Sequence, residues 1–143
     1  MLIQVAITDD HPVFRRMLRA LLDLVPGLQV VAEAGSGQEL IALARVVAID
    51  VVCMDIRMPG MDGVEATQQL LREWPQIRVI GLSSYDDQHF IDAMIRAGAR
   101  GYLTKDDAAE HLPEAIRAVA ASSRYFGPGI VSGCEAAAPI SKR

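Results

Sequence analysis

The fold of this chain is decided by residues 50–63, which read DVVCMDIRMPGMDG. After its first letter the segment is apolar up to Asp55, with no polar alternation. A short run of this kind is typical of a strand buried on both faces, as strands are in a parallel sheet. The Pro-Gly pair that follows predicts a turn. Asp62 and Glu65 then form a capping-box pattern, which predicts that a helix begins there.

Strand-like and helix-like segments alternate over the rest of the chain as well. Four further runs have strand character, the first and third more strongly than the others: residues 3–7, 29–34, 78–82 and 101–104. Apolar residues at spacings of three and four predict helices over residues 12–25, 40–47, 62–74, 91–95 and 108–119. A strand followed by a helix, five times in succession, predicts an α/β fold with a five-stranded parallel sheet and helices on both faces.

Length and composition narrow the function classes. The chain has 143 residues, of which 51% are hydrophobic and 22% charged, as in an ordinary globular domain. The net charge of −4 argues against nucleic-acid binding by bulk electrostatics. Two cysteines are too few for a disulfide framework, which fits a reducing cytoplasm. No apolar run approaches the length of a membrane span.

Polar side chains follow four of the five predicted strands. Asp9 and Asp10 follow the first strand, Asp55 the third, Ser83 the fourth and Lys105 the fifth. In a parallel sheet the carboxyl ends of the strands lie at one edge, and ligands bind there. Each residue taken alone is more commonly a cap, a turn residue or a solvated charge. Their coincidence at one edge favours a shared site.

The residue types at this edge indicate phosphoryl chemistry. Carboxylates placed together raise one another's pKa unless a cation neutralises them. Ligation by oxygen atoms with room for water suits Mg²⁺. Lys105 and Ser83 are suited to hold phosphoryl oxygens, and a carboxylate beside Mg²⁺ can act as a nucleophile. The residues therefore predict a Mg²⁺-dependent phosphoryl site. His11, which precedes Pro12, is interpreted as a helix-entry residue.

These residues resemble the receiver domain of bacterial two-component response regulators over about residues 2–124. The resemblance is carried by the acidic pair, by residues 54–63, by Ser83 and by residues 101–105. Residues 10–15 are similar to the NarL/FixJ-like subfamily, whose output domain is a LuxR-type helix-turn-helix. The resemblance implies a (βα)5 flavodoxin-like fold with strand order 2-1-3-4-5.

The resemblance also implies a role for each site residue. Asp55 would accept a phosphoryl group from a sensor histidine kinase, and Lys105 would pair with that group. The Mg²⁺ ligands would be Asp55, Asp10, Asp9 largely through water, and the backbone carbonyl of Arg57. Ser83 and Tyr102 would form the switch: Ser83 moves toward the phosphoryl group, and Tyr102 then swings inward.

The resemblance further predicts a domain division and a biological role. Residues 1–124 would be the receiver domain, and residues 125–143, rich in Gly, Pro, Ser and Ala, a linker towards an output domain absent from this chain. The protein would regulate transcription in the cytoplasm, without membrane contact, and would touch DNA only through that domain. Homodimerisation is a further expectation. The receiver would catalyse its own phosphoryl transfer and dephosphorylation without being a turnover enzyme.

Four alternatives compete with this interpretation. The chain could be a stand-alone receiver that acts through protein contacts only. It could be an aspartyl-phosphate phosphohydrolase, although such enzymes usually have an acid where Arg57 stands, two residues after the nucleophile. A flavodoxin-like nucleotide binder would need a Gly-rich loop after the first strand, which this sequence lacks. A receiver that is never phosphorylated is disfavoured by the complete set of site residues.

Overall fold

Strands and helices alternate along the computed structural model, which describes residues 2–84 and 88–130. The strands are β1 (Ile3–Thr8), β2 (Leu28–Ala34), β3 (Val51–Asp55), β4 (Arg78–Ser83), β5 (Gly101–Thr104) and β6 (Tyr125–Phe126). The helices are α1 (Pro12–Asp23), α2 (Gly37–Ala44), α3 (Gly63–Glu73), α4 (Gln88–Ala97) and α5 (Lys105–Ala120). The predicted sequence of strand and helix, repeated five times, is confirmed.

All strands pair in parallel, in the order β2-β1-β3-β4-β5-β6. The predicted order 2-1-3-4-5 is therefore confirmed for the first five strands. The chain runs from β1 outward to β2, and then returns to place β3 on the other side of β1. The direction of strand addition reverses between β1 and β3, and ligands bind at such a reversal in open α/β sheets.

Apolar side chains on the two faces of the sheet form two cores. In β3, Val51 and Cys53 face the core that contains α1 and α5, whereas Val52 and Met54 face the core that contains α2, α3 and α4. All four side chains have no solvent exposure. This burial on both sides explains why the strand carries no polar alternation.

Helix α3 begins directly against the end of β3. The capping box is present: the Asp62 carboxylate accepts from the Glu65 backbone N–H, and the Glu65 carboxylate accepts from that of Asp62. The Gly63 N–H donates to the Ile56 carbonyl at 2.8 Å. A Cβ atom on Gly63 would lie 2.3 Å from the backbone oxygen of Asp55, so only glycine fits this approach.

The sheet has one strand more than the sequence predicted. β6 pairs with β5, the Tyr125 N–H donates to the Arg100 carbonyl, and the Gly127 N–H donates to the Tyr102 carbonyl, both at 3.0 Å. Ile130 is also buried. The first residues of the predicted linker therefore pack with the sheet. Two strand residues show no periodicity of their own, so pairing with β5 decides their conformation. Residues 131–143 lie outside the described part of the chain.

Among residues 2–84 and 88–130, no helix has both the length and the apolar character needed to cross a bilayer.

Candidate functional site

Two buried carboxylates meet at the carboxyl edge of the sheet. Asp9 directly follows β1, and Asp55 is the last residue of the neighbouring β3. Only 1% of Asp9 and 3% of Asp55 is exposed to solvent. Asp10 lies beside them with a partly exposed side chain. The parallel pairing of β1 with β3 thus brings together Asp9 and Asp55, which are 46 positions apart in sequence.

A lysine that follows both buried acids at a long distance in sequence contacts both of them. Lys105 is the first residue of α5, which follows β5 directly. Its Nζ lies 2.7 Å from Asp9 Oδ2 and 3.4 Å from Asp55 Oδ1. The same ammonium group lies 4.6 Å from the centroid of the Phe14 ring, a cation–π distance. One cation therefore offsets part of the negative charge at this edge.

The Asp55 carboxyl group titrates near neutrality. Burial raises the pKa of Asp55 to about 7, and the neighbouring charge of Asp9 adds to this increase. Lys105 acts in the opposite direction, because its positive charge lowers the pKa of Asp55. Burial is thus the larger effect. A carboxyl group in this environment gains from a second cation close to it.

The acidic cluster fits a divalent metal ion. Asp9, Asp10, His11 and Asp55 each offer a ligand atom, and these atoms lie within 4.8 Å of one another. The Oδ2 atom of Asp55 and the Oδ1 atom of Asp10 are buried and accept no hydrogen bond within the described structure. Buried oxygens without hydrogen-bond donors are unusual in native proteins and are suited to coordinate a cation.

Arg57 lies just beyond β3, and its side chain is exposed. The guanidinium carbon is 5.1 Å from the centroid of the Phe90 ring at the start of α4. Both residues line an open cavity of about 440 Å³, together with Ile56, Met58, Pro59 and Asp62. The predicted ligand role of the Arg57 carbonyl stays a prediction.

The two predicted switch residues are both buried. Ser83 is the last residue of β4, with 2% exposure. Tyr102 in β5 has none, and its ring packs on the backbone of Gly81: a Cβ atom there would lie 3.0 Å from Tyr102 Cδ2. The inward position, which the sequence analysis assigns to the phosphorylated state, is the one that the structure has.

His11 contacts the acids, which was not predicted from the sequence. His11 is the N-cap residue of α1, which agrees with its interpretation as a helix-entry residue. Its Nδ1 atom also lies 3.0 Å from Asp9 Oδ1 and 3.3 Å from Asp10 Oδ1. Its backbone N–H donates to Asp9 Oδ1 at 2.8 Å. The signal in the sequence was the direct adjacency of the three residues.

Residues 5–117 match the family model described as the response regulator receiver domain. The chain belongs to the response regulator receiver family. The resemblance seen in the sequence is thereby confirmed.

Relatives place the receiver among the LuxR- and NarL-like regulators. It is 41% identical to the response regulator GacA of Pseudomonas aeruginosa, over 90% of this chain and 60% of that protein. It is 47% identical to the nitrate/nitrite response regulator protein NarP of Escherichia coli K12, over 86% of this chain and 57% of that protein. A LuxR-family response regulator from Aurantimonas has the same fold, with a TM-score of 0.87, 34% identity and 96% coverage of both chains.

The receiver therefore spans about 57–60% of the length of these two curated relatives. Both relatives are named as response regulators. Members of the receiver family, to which this chain belongs, are signalling modules and not classical turnover enzymes.

Proposed function

We propose that this receiver is a phosphorylation-dependent switch in which Asp55 accepts a phosphoryl group from the phosphohistidine of a sensor kinase. The observation that carries the proposal is the state of the Asp55 carboxylate. It is buried at the sheet edge, with Oδ1 3.4 Å from Lys105 Nζ and Oδ2 without a hydrogen-bond donor in the described structure. The same carboxylate thus has a cation beside one oxygen and accepts no hydrogen bond at the other.

The transfer forms one bond and breaks another. An Asp55 oxygen attacks phosphorus while the P–N bond to the donor histidine breaks. The leaving imidazole nitrogen keeps the electron pair of that bond and takes up a proton. Lys105 is close enough to Asp55 to pair with the phosphoryl oxygens as negative charge accumulates on them. The acyl phosphate that results adds charge and three acceptor oxygens to a buried edge of the sheet.

The acidic residues would hold Mg²⁺ next to the acceptor. We assign Asp10 and Asp55 as direct ligands, Asp9 as a ligand largely through water, and the Arg57 carbonyl as a further ligand. When bound, Mg²⁺ neutralises the carboxylates and the charge of the incoming phosphoryl oxygens. The buried Asp55 oxygen that accepts no hydrogen bond, and the closeness of the Asp9 and Asp10 carboxylates to it, support this assignment.

The switch would begin at Ser83, which is the last residue of β4, the strand next to the acceptor strand β3. Phosphoryl oxygens on Asp55 would draw this hydroxyl towards them. Tyr102 lies on the next strand with its ring against Gly81. Movement of Ser83 changes the space available to that ring, so the surface near α4 and β5 would differ between the two states.

In the whole protein, this switch would control transcription through a C-terminal DNA-binding domain. The partial coverage of GacA and NarP supports an additional domain, and their names support regulation. Residues 1–124 would be the regulatory unit and the segment after it the connection. A regulator of this kind would act in the cytoplasm, where the DNA is. A gene product without such a domain would indicate a stand-alone receiver instead.

The test is phosphorylation of the purified chain with acetyl phosphate and Mg²⁺, followed by intact-mass measurement and peptide mapping. We expect the mass of one phosphoryl group on Asp55, dependent on Mg²⁺ and absent in Asp55→Asn. Asp23→Asn is the matched control, because this acid lies at the exposed end of α1 and should leave the reaction unchanged. An unmodified wild-type chain would refute the proposal, and efficient turnover of a phosphomonoester would indicate a phosphohydrolase.

A further inference from the structure

We propose that His11 makes the acidic cluster a site for divalent transition-metal ions of the Zn²⁺ class, by adding an imidazole nitrogen to its carboxylate oxygens. This inference rests on the proposed function only in that both use the same acidic cluster. The nitrogen ligand is particular to this proposal, because every ligand assigned above to Mg²⁺ is an oxygen atom.

The donor atoms are close enough together to share one ion. The ligand atoms of Asp9, Asp10, His11 and Asp55 lie within 4.8 Å of one another. Tetrahedral Zn²⁺ with bonds of about 2.0–2.2 Å to nitrogen and oxygen places its ligand atoms roughly 3.4 Å apart. The most widely separated ligand atoms would therefore have to approach by about 1.4 Å, which rotation of the side chains can supply. The His11 side chain is 66% exposed, so its ring is free to turn towards the ion.

The oxygen atoms at the site divide into two groups. Lys105 occupies one group, because its Nζ contacts Asp9 Oδ2 and Asp55 Oδ1. The other group is open to an ion. It includes Asp55 Oδ2 and Asp10 Oδ1, which are buried and accept no hydrogen bond within the described residues. His11 Nδ1 lies on the side of this second group, 3.3 Å from Asp10 Oδ1.

The mixture of donors decides which metal gains from His11. Imidazole nitrogen suits Zn²⁺, Cu²⁺ and Ni²⁺, whereas Mg²⁺ prefers carboxylate, carbonyl and water oxygens and keeps several waters. In a site with oxygen ligands only, the carboxylates alone would set the ratio of Zn²⁺ affinity to Mg²⁺ affinity. The imidazole adds affinity for Zn²⁺ and much less for Mg²⁺. His11 would therefore set the metal selectivity of this receiver.

Calorimetric titrations with Zn²⁺ and, separately, with Mg²⁺ test the inference on the wild-type chain and on His11→Ala. We expect the ratio of Zn²⁺ to Mg²⁺ affinity to fall at least about tenfold, since even indirect metal-site partners contribute about 10–100-fold. His11→Asn keeps a polar side chain at the N-cap and should lose the same selectivity. His111→Ala is the histidine control, because His111 lies on α5 beside Tyr125, outside the cluster, and its ratio should match that of the wild type.

A second readout reports ligation directly. The ¹⁵N shifts of the His11 imidazole should move when Zn²⁺ is added, and Asp10→Asn should suppress that movement. An unchanged selectivity ratio in both His11 variants, or unperturbed imidazole shifts at saturating Zn²⁺, would overturn the inference. Failure of the proposed function is visible separately, as absence of Mg²⁺-dependent phosphorylation in the wild-type chain.

Discussion

Replacing Asp55 by asparagine should stabilise the metal-free receiver at neutral and alkaline pH. The side chain is almost completely buried, and its burial outweighs the attraction to Lys105, so the pKa of Asp55 rises from 3.8 to about 7. An ionised carboxylate here therefore costs folding free energy. Asparagine has nearly the same shape without the charge, and the cost disappears.

The pH dependence follows from the two pKa values. Below 3.8 the carboxyl group holds its proton in both the folded and the unfolded chain and contributes nothing. Between 3.8 and about 7 the unfolded chain has released the proton while the folded chain still holds it. Wild-type stability then falls with rising pH by about 1.4 kcal/mol per pH unit relative to Asp55→Asn. Above pH 7 the difference levels off at no more than about 4 kcal/mol.

Urea unfolding followed by circular dichroism in EDTA, at pH 5 and pH 8, measures this difference. We expect the stability advantage of Asp55→Asn to be about 2–3 kcal/mol larger at pH 8 than at pH 5. Mg²⁺ should narrow it at pH 8, because an ion that binds the folded wild type stabilises that state. Asp23→Asn should show a nearly constant difference, since its exposed ion pair with Arg19 is worth at most about 1 kcal/mol. An advantage of Asp55→Asn that does not change with pH would refute the reasoning.

Three further changes test the packing and the charges around the site. Gly63→Ala should lower the free energy of unfolding by about 2–3 kcal/mol, because its Cβ would lie 2.3 Å from a backbone oxygen. Gly35→Ala is the control in the same urea titration, since its nearest contact would be an ordinary 3.5 Å, and an equal loss in both variants would contradict this explanation. Asp62→Ala should cost about 1 kcal/mol by removing the capping box, and unchanged urea unfolding would show that the cap is dispensable. Lys105→Ala should raise the pKa of Asp55 further, which a carboxyl ¹³C titration in EDTA measures; an unchanged midpoint would exclude the charge coupling.

Local sequence patterns predicted most of the fold because they act over a few residues. The apolar run that ends at Asp55 is a strand because both of its faces are buried, and the Asp62–Glu65 pattern begins a helix because its two side chains satisfy free N–H groups. β6 was missed for the converse reason. Its two residues have no pattern, and only hydrogen bonding with β5 makes them a strand.

The composition of the site was predictable for a similar reason. Acids, a serine and a lysine after successive strands must approach one another once the strands are parallel. The individual contacts were not predictable. Lys105 lies closer to Asp9 than to Asp55, by 2.7 Å against 3.4 Å. His11, at the N-cap position of α1, turns its side chain towards the acids and makes no capping hydrogen bond. Rotamers and the relative placement of the strands decide such distances.

The sequence by itself determined the alternation of strands and helices, the parallel sheet and the edge where the charges collect. Burial patterns and turn residues encode these features locally. The short, right-handed connections between parallel strands then permit few other topologies. Tertiary structure alone decided which oxygen atoms Lys105 occupies, which remain open to a cation, and how far burial moves the pKa of Asp55. These depend on contacts between residues 45 or more positions apart, through dielectric and distance, and no local pattern encodes either quantity.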